Sequence, residues 1–72
     1  MTATTATKLV REGRYVAEVE VMLIEDDHEW SPTMSLDDAR KLDAVRMALR
    51  LNDLKAASKL ARVFEMTPVA AG

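Results

Sequence analysis

Apolar and polar residues alternate most regularly between Arg14 and Glu25, RYVAEVEVMLIE. Tyr15, Ala17, Val19, Val21 and Leu23 fall on one side of an extended chain. Val16, Glu18, Glu20, Met22 and Ile24 fall on the other. A period of two with one wholly apolar side marks a strand that lays that side on a core. The run is long and predicts the central strand of a sheet. KLVRE, Lys8–Glu12, precedes it with Gly13 between, and a glycine between two β-prone runs predicts a tight hairpin, because glycine tolerates positive φ. Residues 25–29 have no apolar member and predict the loop of a second hairpin, since aspartate favours turns over strands. Trp30 to Met34 then returns as a short strand, which Pro32 confines to an edge because proline donates no ladder hydrogen bond.

The period changes at Ser35-Leu36-Asp37-Asp38. Ser35 is placed to cap a helix, and two aspartates follow where the helix dipole favours anions. The helix is expected to run to about Leu51. Leu42, Val45 and Leu49 make one apolar stripe; Leu36, Ala44, Met47 and Leu51 make another on nearly the opposite side. One stripe belongs on the sheet, and the other requires a second helix or another subunit. Asn52 is suited to the left-handed turn that ends this helix, and Asp53 to capping the next, over 54–62, with Leu54, Ala57, Leu60 and Ala61 as its apolar face. Val63 to Val69 reads as a last strand, with continuation of the helix as the alternative, because Pro68 opposes helix at Thr67. The expected fold is α+β: a small antiparallel sheet, ordered β-β-β-α-α-β, against a helical hairpin. Residues 1–7, MTATTAT, are expected as a disordered polar leader and 8–72 as one small domain.

Composition narrows the chemistry. The chain has 72 residues, 49% hydrophobic, with no cysteine, one histidine and one tryptophan. A chain this short buries only about 60% of its unfolded surface. Without cysteine there are no disulfides and no thiolate metal sites, which suits a cytoplasmic protein. IEDDHEW, residues 24–30, sets four carboxylates around His28. Consecutive loop residues do not converge on a metal, and neither the length nor the glycine of a calcium loop is present. The expected state is a solvated acidic turn, with a weak cation or partner contact as the alternative. No nucleophilic triad and no phosphate loop can be assembled, so no catalytic residue, metal or cofactor site is expected and the protein is not read as an enzyme.

Charge is unevenly divided. Residues 1–39 carry three basic and nine acidic side chains, whereas residues 40–72 carry seven and three. Such a split implies internal pairing or two faces of opposite sign. Protein–protein contact is the expected role. Its candidate residues are Glu18, Glu20, Met22, Ile24, Asp26, Asp27, Glu29 and Trp30, and the partner is a basic protein or a second copy in a homodimer. The alternatives are nucleic-acid binding through Arg46, Arg50, Lys55, Lys59 and Arg62, or a structural homo-oligomer.

Arg14–Val19 (RYVAEV), a return strand, and Ser35-Leu36-Asp37-Asp38-Ala39 opening a helix together resemble the HicB-type antitoxins of bacteria. The resemblance covers about residues 13–51. It implies a small sheet with one helix against it and a regulatory role in covering a toxin partner. The family's glycine-rich segment with its cysteine is replaced here by Trp30-Ser31-Pro32, and the second helix lies outside its pattern.

Overall fold

A computed structural model describes residues 2–25 and 33–70. Its elements follow the order β1 (Thr2–Glu12), β2 (Tyr15–Glu25), β3 (Thr33–Met34), α1 (Leu36–Arg50), α2 (Leu54–Leu60), β4 (Arg62–Glu65). They form a four-stranded antiparallel sheet and two helices, the α+β architecture expected.

β1 and β2 pair along their whole length, from Thr2↔Glu25 to Glu12↔Tyr15. The two-residue turn between them has Gly13 at φ 60°. Positive φ at only the first central position is the type II′ pattern, whose twist matches that of the flanking strands. Thr2–Thr7, expected as a disordered leader, is the first half of β1. Threonine is β-branched and suits a pleated strand, and β2 offers it a full-length partner, so tertiary pairing overrides the polar composition.

β2 is central. β1 occupies one of its edges; β4 and β3 share the other, at opposite ends. β4 pairs with Tyr15–Glu18 and β3 with Leu23 and Ile24. The last strand is shorter and earlier than expected. It spans Arg62–Glu65, while Met66–Ala70 takes no regular structure. Arg62 therefore lies in a strand, not in the second helix, because Ala61 turns extended (φ −156°, ψ 168°) after the C-terminal residue of α2.

Both helices lie on one side of the sheet. The core joins Val10 of β1, Ala17, Val19 and Val21 of β2, Val45, Ala48 and Leu49 of α1, and Ala57 of α2. The side chain of Ser35 accepts from the Asp38 N–H (3.1 Å) and opens α1. Its end is a Schellman motif: the Asp53 N–H donates to Ala48 O (2.8 Å), the Asn52 N–H donates to Leu49 O (3.1 Å), and Asn52 takes φ 58°. The Asp53 carboxylate then accepts from the Ala56 N–H (3.1 Å) and starts α2. Each cap is worth about 1 kcal/mol. Leu51, Asn52 and Asp53 thus reverse the chain, with the Met47, Ala48 and Leu49 carbonyls and the Ala56 N–H satisfied locally.

The molecule is flat. Its radius of gyration is 14.7 Å, against about 11 Å for a compact chain of this length. Its accessible surface is 5635 Å², against roughly 4,450 Å² for a compact protein of its mass.

Candidate binding surfaces

The side of the sheet away from the helices carries the even-numbered residues of β2. Strand register arranges it in rows: Arg11, Val16 and Phe64; Leu9, Glu18 and Arg62; Thr7 and Glu20; Thr5 and Met22; Ala3, Ile24 and Thr33. Neither α1 nor α2 covers these rows. Leu9 is 67% exposed, Met22 43% and Phe64 40%. The Arg62 guanidinium stacks over the Phe64 ring at 5.5 Å, a contact that keeps a cation against an apolar surface. The bare face therefore carries apolar side chains toward both ends, with Arg11 beside Val16 and Phe64, and a mixed middle where Glu18 stands between Leu9 and Arg62.

Four of the residues singled out for partner contact, Glu18, Glu20, Met22 and Ile24, share this face. Asp26, Asp27, Glu29 and Trp30, together with the acidic loop around His28, lie outside the described residues. The acidic half is also less one-sided than its composition suggests. Glu12 accepts from Arg50 Nε at 3.1 Å and lies 4.0 Å from Arg46 Nε, so an acid of the first half is met by two bases of the second. Part of the charge split along the chain is thus internal pairing.

The same pairings divide the basic residues of the nucleic-acid reading. Arg46 and Arg50 converge on Glu12 at the hairpin end. Lys59 and Arg62 instead line a separate open cavity of about 430 Å³ with Lys41, Thr7, Glu18 and Glu20. Two carboxylates and three cations face one another there, and among the described residues no charged or polar side chain is buried. Acid–base chemistry draws on a group whose pKa is moved by desolvation. Among the described residues the clear displacement belongs to Arg14, held above its usual value first by its hydrogen bond to and charge interaction with the Tyr15 hydroxyl and then by Glu65; a guanidinium is protonated either way.

Between β4 and β3 the edge of β2 has a notch, Val19–Met22, beside which no strand lies among the described residues. Two side chains of α1 reach into it. The Met22 N–H donates to Asp38 Oδ2 (2.8 Å), and Lys41 Nζ donates to the Glu20 carbonyl (3.0 Å). They supply an acceptor and a donor where a neighbouring strand would. Periodicity alone assigned neither role, although a signal was present: Asp38 precedes Leu42, Val45 and Leu49 at spacings of four, three and four, so it is the polar first member of the core-facing stripe.

The second apolar stripe of α1 remains uncovered. Leu36 is 65% exposed, Met47 54% and Leu51 72%. α2 packs beside Ala48 instead of over this stripe, so of the two covers that the pattern required, only the sheet is supplied within the described residues.

Among the described residues no cluster of three or more metal-ligating side chains occurs, and no helix is long and apolar enough to cross a membrane. No family model, curated protein or solved structure matches the chain.

Proposed function

We propose that this is a non-catalytic protein-binding module, cytoplasmic in setting, that offers the bare side of its sheet to a basic protein partner. The observation that carries the reading is the sharing of one uncovered face by Val16, Glu18, Glu20, Met22, Ile24 and Phe64. Apolar ends supply burial, and the carboxylates at the middle supply orientation and encounter rate more than affinity. An antitoxin-like role is the specific form of this reading. It rests on the resemblance over residues 13–51 and on the acidic side chains of β2.

The test is co-purification of the tagged full-length protein with the products of adjacent genes. Capture of a basic partner that is lost on Glu20→Lys or Met22→Glu, and retained on Lys55→Glu, supports the reading. Failure to retain any of those products, or retention indifferent to both face substitutions, overturns it. Nucleic-acid binding draws less support from the geometry, because Arg46 and Arg50 are engaged by Glu12 instead of joining Lys59 and Arg62.

A further inference from the structure

The outer side of α1 carries a self-complementary pattern. Leu36, Arg40, Asp43 and Met47 follow one another at spacings of four, three and four. This is the a/d spacing of a helix seam, and it lies opposite the stripe of Leu42, Val45 and Leu49 that meets the sheet. All four side chains are exposed, as is Ala44 beside them. In an antiparallel pair of such helices related by a two-fold axis, a and d positions meet in alternate layers. An axis passing between Lys41 and Leu42 sets Leu36 against Met47 of the second copy and Arg40 against Asp43 of the second copy. Each layer occurs twice by symmetry.

Charge selects this arrangement over its competitors. A parallel, in-register pair would set Arg40 against Arg40 and Asp43 against Asp43, two like-charge layers in the middle of the seam. The antiparallel pair turns both into opposite-charge layers and flanks them with apolar ones. Ala44 and Ala39 at the seam margins are small enough for the helix axes to approach to about 8–10 Å.

We infer that the chain forms a two-fold homodimer through antiparallel packing of α1 on α1, with Leu36–Met47 and Arg40–Asp43 as its repeated contacts. The interface is on the opposite side of the molecule from the bare sheet face and does not depend on that face having a partner. The two sheets then face outward, one on each side of a four-layer β-α-α-β assembly.

Charge exchange tests it directly, by sedimentation equilibrium on the full-length protein, with far-UV circular dichroism to confirm folding. The wild-type protein is expected to dimerise. Arg40→Glu and Asp43→Arg each place like charges in both central layers and are expected to weaken the dimer about tenfold or more. The double variant, Arg40→Glu with Asp43→Arg, restores it to within a few-fold. Mixing the two single variants yields a heterodimer, because one carries only acidic and the other only basic central layers. Met47→Glu, at a surface position, gives a folded monomer. A wild-type protein that stays monomeric at every concentration overturns the inference. So does a dimer that both single variants leave intact, and one broken instead by Phe64→Glu assigns self-association to the sheet.

Discussion

The two sides of the sheet are built from alternate residues of the same strands, yet they have opposite fates. On the helix side, Ala17, Val19 and Val21 are almost completely removed from water. One residue along in each case, Glu18, Glu20 and Met22 stay half or fully exposed. Strand propensity does not separate them, since both sets lie in one unbroken strand. What separates them is the availability of cover: two helices totalling 22 residues close one side, and among the described residues no element lies over the other. In so small a protein the apolar residues on the second side are more informative than those on the first, because folding alone does not account for them.

The comparison breaks most severely at the buried side. Val19→Asp puts a carboxylate with no partner into the core and is expected to cost more than about 4 kcal/mol, enough to unfold most of the population. Met22→Asp, three residues away on the bare side, is expected to leave the far-UV circular dichroism spectrum unchanged. Both proteins unfolding alike would contradict the division.

The two stripes of α1 sharpen the same contrast by a smaller amount. Leu49→Ala removes one of the few large side chains of the core and should lower stability by about 2–5 kcal/mol. Met47→Ala should change the intrinsic stability of the monomer by no more than about 0.5 kcal/mol. Urea denaturation at low protein concentration separates the two. Next come the chain reversals. Asp53→Ala and Ser35→Ala each remove a side-chain acceptor at a helix start, for about 1 kcal/mol apiece. Gly13→Ala imposes positive φ on a residue with a Cβ and should cost about 1–2 kcal/mol, all of it backbone strain, because no atom lies within 4 Å of the added carbon. The smallest effect belongs to Thr5→Ser on the bare side, within about 0.5 kcal/mol.

Local rules carried the sequence reading a long way. The alternation in β2, the Gly13 turn, the Ser35 cap and the Asn52-Asp53 reversal are each decided by a few neighbouring residues, and each is present. Readings that depended on distant pairing went wrong or stopped short. Thr2–Thr7 looks like a leader because its only apolar residues are the small Ala3 and Ala6; its strand conformation comes from the Glu20–Glu25 segment across the ladder, with Ala6 packed at the margin of the core. The last strand stops at Glu65 because β2 pairs with β4 only from Tyr15 to Glu18, a limit no residue of 63–69 encodes. The sharing of one sheet face by Glu18, Glu20, Met22 and Ile24 was legible from the period of two. The grouping of the cations was not, because Glu12 draws Arg46 and Arg50 away from Lys59 and Arg62 only once the helix lies across the hairpin.

The reach of Asp38 and Lys41 into the edge of β2 has a consequence for behaviour at high concentration. An open run of backbone donors and acceptors invites another chain to add itself, and growth of that kind does not terminate. Here two charged side chains occupy that run, so an incoming segment must displace an aspartate and a lysine before it can dock. Asp38→Ala combined with Lys41→Ala removes this guard from the inner edge while leaving the hydrophobic interior untouched, and the resulting protein should bind thioflavin sooner than the parent at equal concentration, the outer edge of β1 being the same in both.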